Sequence, residues 1–291
     1  MSTLVSLLID GVSYGMTLFL IAVGLTVTLG VMRVVNLTHS AFAMVGGYLA
    51  LWLVRSAGFS FYLAVPMAAL LTMLLGLAME RTLYRWVYRS DALGQLLMTI
   101  GITFVITALA KGIAGPSIQN IPLPVSLQGN WVWGGEVGAV SVSVYRVFLV
   151  AVSAALALAL WLGLERTAFG ARLRAAVDNP SMARCVGIDV PRVFSITFTL
   201  GCGLAAIGGA LGTQMLPLEP YYGLKYLVLV LIVVAVGGLG SLRGSFQAAL
   251  LLGLIDTLGR YYLPALGAFI IYLCVLGLLL VRPRGLVAST S

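Results

Sequence analysis

Charged side chains are scarce in this sequence. Of its 291 residues, 17 are basic and 9 are acidic, whereas 61% are hydrophobic and the mean hydropathy is +1.08. A soluble domain of this length needs far more charge to cover its surface. The composition therefore excludes a soluble protein and predicts one that lies in a membrane.

The residues that usually hold nucleotides, metals or disulfides are also few. Lys111 and Lys225 are the only lysines and no G-x-x-x-x-G-K-[ST] motif occurs, so nothing predicts nucleotide binding by this chain. Cys185, Cys202 and Cys274 stand singly, without metal-ligand spacing, and are interpreted as small hydrophobic residues. No nucleic-acid module occurs, and the net charge of +8 agrees with the positive-inside bias of membrane proteins. We therefore expect no cofactor on this chain and no nucleic-acid partner.

The sequence has instead a series of apolar blocks of about 20 residues, the length that crosses a roughly 30 Å hydrocarbon core as an α-helix. The blocks lack the two-residue alternation of barrel strands, and backbone groups in lipid must be hydrogen-bonded within their own segment. These features predict an all-α, polytopic helical membrane protein with about 8–9 spans in one domain, residues 1–291. A re-entrant helix at one short block is the alternative to a ninth span. The predicted blocks are 4–31, 36–54, 60–80, 94–113, 145–164, 193–214, 224–240, 245–262 and 265–281.

The distribution of arginine and lysine predicts the orientation, because cytoplasmic loops of membrane proteins carry an excess of both. With the N-terminus outside and the C-terminus inside, most of the 17 basic residues fall on the cytoplasmic side. The first block has no basic region before it, so we expect it to be retained as a span rather than cleaved as a signal peptide. The basic residues assigned to the cytoplasmic side are Arg33, Arg81, Arg85, Arg89, Arg166, Arg172, Arg174, Arg184, Arg192, Arg243, Arg282 and Arg284.

The longest loop on the predicted outer side is residues 114–144. Its glycines and prolines favour turns and extended chain. Trp131 and Trp133 are typical of anchors at a membrane interface. Docking of an external protein is an alternative use of this loop.

Two apolar blocks are short for spans, and each follows a tight bend. One comes after the polar residues Asn36, Thr38, His39 and Ser40, and the other after the glycine-rich run 237–244. Short, glycine-interrupted segments at corresponding places in two halves of a transporter are the best sequence indication of its path. We therefore expect Asn36, His39 and Ser40 to line or gate a translocation path, with helix packing as the alternative. A proton relay at the single histidine is disfavoured, because no acidic residue lies within a nearby span.

The loop of residues 166–192, called the 166–192 loop below, interrupts this apolar chain with a run of arginines. Phe169, Leu173, Ala176 and Val177 recur at helical spacing, which predicts a short amphipathic helix. Such a helix needs something to pack against on its apolar side. The arginines of the loop include Arg172, Arg174, Arg184 and Arg192.

A second short helix is predicted directly after the first. Asn179 suits an N-cap and Pro180 suits the first helical position, so this helix should run from Pro180 to about Val186. Gly187 stands where a left-handed C-terminal cap is wanted. Two ordered helices are more structure than a passive linker needs, and they predict docking to a cytosolic protein. The alternative is a basic loop that lies on anionic lipid headgroups.

Four groups of residues occur in the order that a known family shows. They are Gly24-Leu25-Thr26 to Gly30-Val31 with Asn36 and His39; Glu80-Arg81, Tyr84-Arg85 and Thr99-Ile100-Gly101; Thr167, Gly170, Arg174-Ala175, Asn179, Ala183 and Gly187-Ile188; and Gly237-Gly238-Leu239-Gly240-Ser241. Together they resemble the permease subunit of the branched-chain (hydrophobic) amino-acid ABC importer family over nearly the full length of the chain. The chain departs from the family at Leu37, Ser40 and Arg243, where phenylalanine, glycine and proline are usual, and this leaves the substrate open.

The resemblance implies a membrane-spanning permease subunit in a bacterial inner (plasma) membrane, which is not itself an enzyme. Its implied partners are two cytosolic ATP-binding subunits that hold ATP and Mg²⁺, a second related permease subunit and a periplasmic substrate-binding protein. The implied mechanism is alternating access, in which ATP-driven closure of the partner subunits moves the permease. By the same resemblance the 166–192 loop engages the ATPase, and its coupling residues are Arg174, Asn179, Pro180, Ala183 and Gly187.

Branched-chain amino acids are the first expectation for the substrate, and other amino acids, urea or short amides are the alternatives within the family. Since the sequence offers no evident carboxylate or arginine cluster in the membrane to grip a zwitterion, we expect the binding protein to carry most of the selectivity. An ion-coupled secondary transporter is the alternative of a different class, but it would need ionisable coupling groups at mid-membrane. A membrane-embedded enzyme would need paired catalytic groups, which are not evident in the sequence.

Overall fold

The computed structural model describes residues 2–32, 36–87, 90–133, 140–282 and 285–286 of the chain. Each predicted apolar block contains a helix, so the helical prediction is confirmed. The elements are α1 (Ser2–Met32), α2 (His39–Arg55), α3 (Phe61–Met79), a π-helical turn (Glu80–Tyr84), α4 (Arg85–Val87), α5 (Ala92–Ala114), a 3₁₀ turn (Val125–Leu127), β1 (Asn130–Trp133), β2 (Val140–Ser143), α6 (Val144–Arg166), α7 (Ala168–Asp178), α8 (Pro180–Cys185), α9 (Val190–Gly212), α10 (Tyr222–Lys225), α11 (Leu227–Gly237), α12 (Leu242–Tyr262) and α13 (Gly267–Val281).

Among the described residues, five helical segments are long and apolar enough to cross a membrane. Two further apolar helices, Tyr222–Gly237 and Phe269–Val281, are shorter. The chain is thus a polytopic helical membrane protein, as predicted. The count of eight or nine spans remains a prediction. The five long segments are Leu4–Gly30, Phe61–Tyr84, Ala92–Ala114, Val144–Arg166 and Val190–Gly212.

α1 and α9 form the centre of the bundle. In the apolar window of α1, 89% of the residues are buried, and α1 packs on α9, α12 and α6. A Cβ atom at Gly24 of α1 would collide with the carbonyl oxygen of Gly201 in α9. α9 also packs on α2 and α3, and a Cβ atom at Gly209 would collide with the carbonyl oxygen of Ala43 in α2. Glycine therefore permits the close backbone contacts that hold these helices together.

The packing brings distant parts of the chain together at two ends of the bundle. At one, called the loop end, Arg243 of α12 lies 3.7 Å from Glu165, which directly precedes the 166–192 loop. At the other, called the far end, Asp10 of α1 forms an ion pair with Arg146 of α6. α1 and α6 therefore run in the same direction.

The assignment of these two ends to the cytoplasm and the outside stays a prediction. Three of the arginines on which the orientation was based, Arg33, Arg89 and Arg284, lie outside the described residues. The arginines of the 166–192 loop all belong to the loop end, because that loop is one continuous segment there.

The loop predicted at residues 114–144 contains a short hairpin, in which β1 pairs antiparallel with β2. Gln119 also forms an antiparallel bridge with Leu218, which ties this loop to the segment after α9. The all-α prediction is therefore correct for the bundle, whereas the loop has strand pairing that its turn-rich composition did not predict. Residues 134–139, between the two strands, lie outside the described part.

Candidate functional site

α7 is an amphipathic helix, as the sequence predicts. Thr167 caps its start, since the Oγ1 atom accepts a hydrogen bond from the backbone N–H of Gly170 at 3.2 Å. Leu173 and Ala176 are buried in a small apolar cluster with Val190 at the start of α9. This cluster fixes α7 against α9, so the 166–192 loop has a core of its own.

α8 begins as predicted. The Oδ1 atom of Asn179 accepts a hydrogen bond from the backbone N–H of Met182 at 3.0 Å, and Pro180 is the first helical residue. A proline is well suited to that position because it has no N–H that would be left without a partner. The start of α8 is thus fixed by an N-cap and a proline, as the sequence predicts.

α8 also ends as predicted. Gly187 has a φ of 83°, in the left-handed region that glycine adopts without strain. The N–H of Ile188 donates to the carbonyl of Ala183 at 2.9 Å, and the N–H of Gly187 donates to that of Arg184 at 3.0 Å. This pair of hydrogen bonds is a Schellman motif, which satisfies the last carbonyls of the helix.

The side chains of α8 divide into a buried face and an exposed one. Ala183 is buried in the cluster that also holds Leu173. Met182 and Val186 are 62% and 69% exposed, and Arg184 beside them is exposed as well. Ala183, predicted as a coupling residue, therefore positions the helix, while Met182, Arg184 and Val186 belong to its exposed surface. Sequence reasoning missed these three, although apolar residues at positions i and i+4 of a loop helix were the available signal.

Arg174 is engaged within the chain. Its guanidinium Nη1 donates to the carbonyl oxygen of Leu164, near the end of α6. Gly170 lies against the same residue, because a Cβ atom there would collide with the Leu164 carbonyl oxygen. Arg174 and Gly170 thus stabilise the corner between α6 and α7, and the docking role predicted for Arg174 remains a prediction.

A cavity of about 460 Å³ lies between α7 and the loop end of the bundle. Its walls come from α1, α6, α7 and the glycine-rich turn before α12. Arg243, in the first turn of α12, lies over the ring of Trp161 at 5.3 Å. The 166–192 loop therefore shares this cavity with the central helix α1 and the glycine-rich turn.

Asn36 lies at the entry to α2, buried among helices. Its Oδ1 accepts hydrogen bonds from the hydroxyl of Tyr84 at 2.9 Å and from the N–H of Thr38 at 3.0 Å. Its Nδ2 is buried and has no hydrogen-bond partner within the described residues. Among the described residues, the Asn36 amide is therefore held through its oxygen alone.

His39 and Ser40 are also fully buried. The His39 ring lies against Gly24 of α1, and neither ring nitrogen has a hydrogen-bond partner among the described residues. The hydroxyl of Ser40 donates to the carbonyl of Gly223 at 2.6 Å. Asn36, His39 and Ser40 thus lie together at helix contacts, and their role in a translocation path stays a prediction.

The far end contains a cluster of charged side chains. Asp10 pairs with Arg146, and the Asp256 Oδ2 accepts from the Nε of Arg260 at 2.7 Å. Lys225 lines the same cavity as these four residues. The expectation of no carboxylate or arginine cluster within the membrane stays a prediction, because these residues lie toward the helix ends at the far end of the bundle. The helices that carry Asp10, Arg146 and Asp256 are distant in the sequence, and only the packing of α1, α6 and α12 brings these residues together.

The chain is similar to known permeases along most of its length. The family model described as "Branched-chain amino acid transport system / permease component" matches residues 7–281. No solved structure gives a significant match.

Individual relatives agree with this family. The high-affinity branched-chain amino acid transport system permease protein LivH of Escherichia coli (strain K12) is 28% identical over 294 residues, covering 95% of this chain and 93% of the relative. The probable branched-chain amino acid transport permease protein LivH of Methanocaldococcus jannaschii is 29% identical over 285 residues, covering 94% and 88%. BraD of Pseudomonas aeruginosa, a permease of the same description, is 26% identical over 262 residues, covering 87% and 85%. With its helical bundle and this match from residue 7 to 281, the chain belongs to the family of permease components of branched-chain amino-acid transport systems.

Proposed function

We propose that this chain is the membrane-spanning permease subunit of an ATP-driven importer for branched-chain or related amino acids. The observation that carries the proposal is the capped helix α8 at the loop end, which is held in a fixed position and exposes Met182, Arg184 and Val186. Two relatives of this chain carry names that state branched-chain amino acid transport. An exposed apolar surface of this kind supports contact with another protein.

Two cytosolic ATP-binding subunits are the proposed partners at this surface. They hold ATP and Mg²⁺, since this chain has no phosphate-binding loop of its own. Met182 and Val186 supply apolar contact, and Arg184 supplies charge at its edge. The loop end then faces the cytoplasm of a bacterial inner membrane, with the N-terminus outside and the C-terminus inside.

Alternating access follows if the ATP-binding subunits bind the two permease conformations with different affinity. A push on α8 reaches α7 and α9 through the cluster of Leu173, Ala183 and Val190. From α7 it reaches α1 through their direct contacts, beside the cavity that Arg243 of α12 also lines. The movement would rock α1 and α9 about the region of Asn36, His39 and Ser40, where the path is proposed to open.

The remaining proposed partners are a second related permease subunit beside this one and a periplasmic substrate-binding protein at the far end. The hairpin β1–β2 projects exposed side chains there, Trp131 and Val132 among them. The binding protein would release its substrate at this end, next to the charged cluster.

Reconstituted uptake tests the proposal. Proteoliposomes that contain this chain, its partner permease and the ATP-binding subunits should take up leucine only when ATP and the binding protein are both present. Omission of the ATP-binding subunits is the control. Uptake by this chain without them, driven by an ion gradient, would overturn the proposal in favour of a secondary transporter.

A further inference from the structure

The far end contains a cavity with charged walls that has no part in the proposed coupling through the 166–192 loop. It has a volume of about 670 Å³ and lies between α1, α6, α10 and α12. Pockets for small molecules typically measure about 300–1,000 Å³. Its walls carry five charged side chains, in a protein in which only 9% of the residues are charged. They are Asp10, Arg146, Lys225, Asp256 and Arg260.

Asp256 lines this cavity and has one carboxylate oxygen without a hydrogen-bond partner among the described residues. The side chain of Asp256 is only 5% exposed, and its Oδ2 accepts from Arg260. Its Oδ1 is buried and has no hydrogen-bond partner among the described residues. Leaving a buried charged oxygen unsatisfied is costly, so this atom is suited to accept from a bound donor.

The cations of the cavity are more accessible than this carboxylate. Lys225 pairs with Glu219 at 2.5 Å, yet 51% of its side chain is exposed. Arg146 pairs with Asp10 and is about one third exposed. Both carry N–H donors beyond those used in these pairs, since an ammonium has three and a guanidinium has five. The cavity thus presents an acceptor on α12 and donors on α6 and α10.

The rest of the lining includes apolar side chains beside hydroxyl-bearing ones such as Tyr14 and Thr257. Leu7 of α1, Met215 after α9 and Leu229 of α11 contribute to the same cavity. A ligand that satisfies both charged sides and these three side chains has one cationic group, one anionic group and an apolar part. A free amino acid with an apolar side chain has all three.

We propose that this cavity binds such an amino acid as it enters the permease. The ammonium of the ligand donates to Oδ1 of Asp256, its carboxylate accepts from Lys225 and Arg146, and its side chain packs on Leu7, Met215 and Leu229. This inference rests on the proposed function and deepens it, because it assigns part of the substrate recognition to the permease as well as to the binding protein.

The test uses the assembled importer in lipid nanodiscs without the binding protein, so that only the membrane part can bind. Saturation-transfer NMR detects contact between the importer and each of three probes. These are leucine, its analogue leucinamide, which lacks the carboxylate, and its analogue 4-methylpentanoate, which lacks the ammonium. We expect leucine to bind about tenfold more tightly than either analogue, since each analogue loses one charge-assisted contact.

Two variants separate recognition from a structural role. Asp256→Asn should weaken the binding of leucine and leucinamide by about tenfold, because both carry the ammonium. The binding of 4-methylpentanoate, which lacks it, should be unchanged. Lys225→Met should weaken the binding of leucine and 4-methylpentanoate, which carry the carboxylate. The binding of leucinamide, which lacks it, should be unchanged. Asp178→Asn, an equivalent change at an exposed residue of the loop end, should alter none of them.

Absence of leucine contact in the wild-type assembly would overturn the inference, as would variants that weaken all three probes equally. If Asp256→Asn does not assemble, the probe pattern of Lys225→Met decides. ATP-dependent uptake with the binding protein, measured on the same preparation, separates the two proposals. Intact uptake without leucine contact removes only this inference, whereas uptake that needs no ATP-binding subunits removes the proposed function.

Discussion

The backbone N–H of Met182 donates a hydrogen bond to Oδ1 of Asn179 across 3.0 Å, and this contact starts α8. The same Met182 directs its side chain outward, with 62% of it exposed. The cap therefore stabilises the short helix that carries this exposed side chain. A change at Asn179 should act on a partner that it does not need to touch.

Asn179→Leu should weaken the association of the ATP-binding subunits severalfold. It removes the cap, which typically costs about 1 kcal/mol of helix stability. Membrane insertion should be unchanged because Asn179 is an exposed residue between two short helices. Co-purification of the subunits with the permease measures the effect. Asn179→Ser, which keeps a capping oxygen, is the matched control. If Asn179→Leu recovers as much of the ATP-binding subunits as the wild-type chain does, the coupling assignment is contradicted.

Met182→Asp should abolish most of the ATPase association without destabilising the permease. The side chain is exposed, so the substitution removes no internal packing, but it places a charge in an apolar contact that must be dehydrated on docking. Size-exclusion chromatography of the assembled importer, with thermal unfolding of the permease alone, measures both effects.

Val125→Asp serves as the control for Met182→Asp. Val125 is 85% exposed and belongs to the loop at residues 114–144, away from the loop end. It should leave the association of the ATP-binding subunits intact. Loss of association in both variants would show that added charge, rather than position, causes the effect.

Gly209→Ala should lower the free energy of unfolding of the permease by about 1–3 kcal/mol, the usual cost of overpacking. The added methyl would collide with the Ala43 carbonyl oxygen, so α2 and α9 would have to separate. Gly163→Ala in α6 is the matched control, because a Cβ atom there meets nothing within 4 Å. Thermal unfolding followed by tryptophan fluorescence compares the two. Equal stability of both variants would contradict the close contact of α2 and α9.

Ser40→Cys tests the predicted path. In a background in which Cys185, Cys202 and Cys274 are replaced, a membrane-impermeant thiol reagent should modify this cysteine during ATP turnover and not at rest. The residue is fully buried here, so modification requires that the helices around it move apart. Ser153→Cys, buried in α6, should stay unmodified in both conditions. If neither cysteine is modified during turnover, Ser40 serves in helix packing alone.

The local structure of the 166–192 loop could be predicted closely from sequence. Asn179, Pro180 and Gly187 each act within a few residues of their own position, through a cap, a missing N–H and a left-handed φ. The outward face of α8 could not be predicted in the same way. Which of its residues is buried depends on the cluster formed with α7 and α9.

The far-end cavity lay beyond any local pattern. Asp10 and Arg146 are 136 residues apart, and Asp256 belongs to yet another helix. Each looks like an ordinary charged residue near the end of a span. The path residues Asn36, His39 and Ser40 illustrate the same limit, because polarity near a bend does not distinguish a path from a buried helix contact.

By itself, the sequence determined the membrane class, the positions of the helices and the caps of the 166–192 loop, because hydropathy and helix capping are properties of neighbouring residues. Only the tertiary structure decided that Met182 and Val186 face outward and that Asp256 meets Lys225 and Arg146 around one cavity. Those relationships depend on how helices distant in the chain pack against one another, through glycines such as Gly24 and Gly209 that let backbones touch.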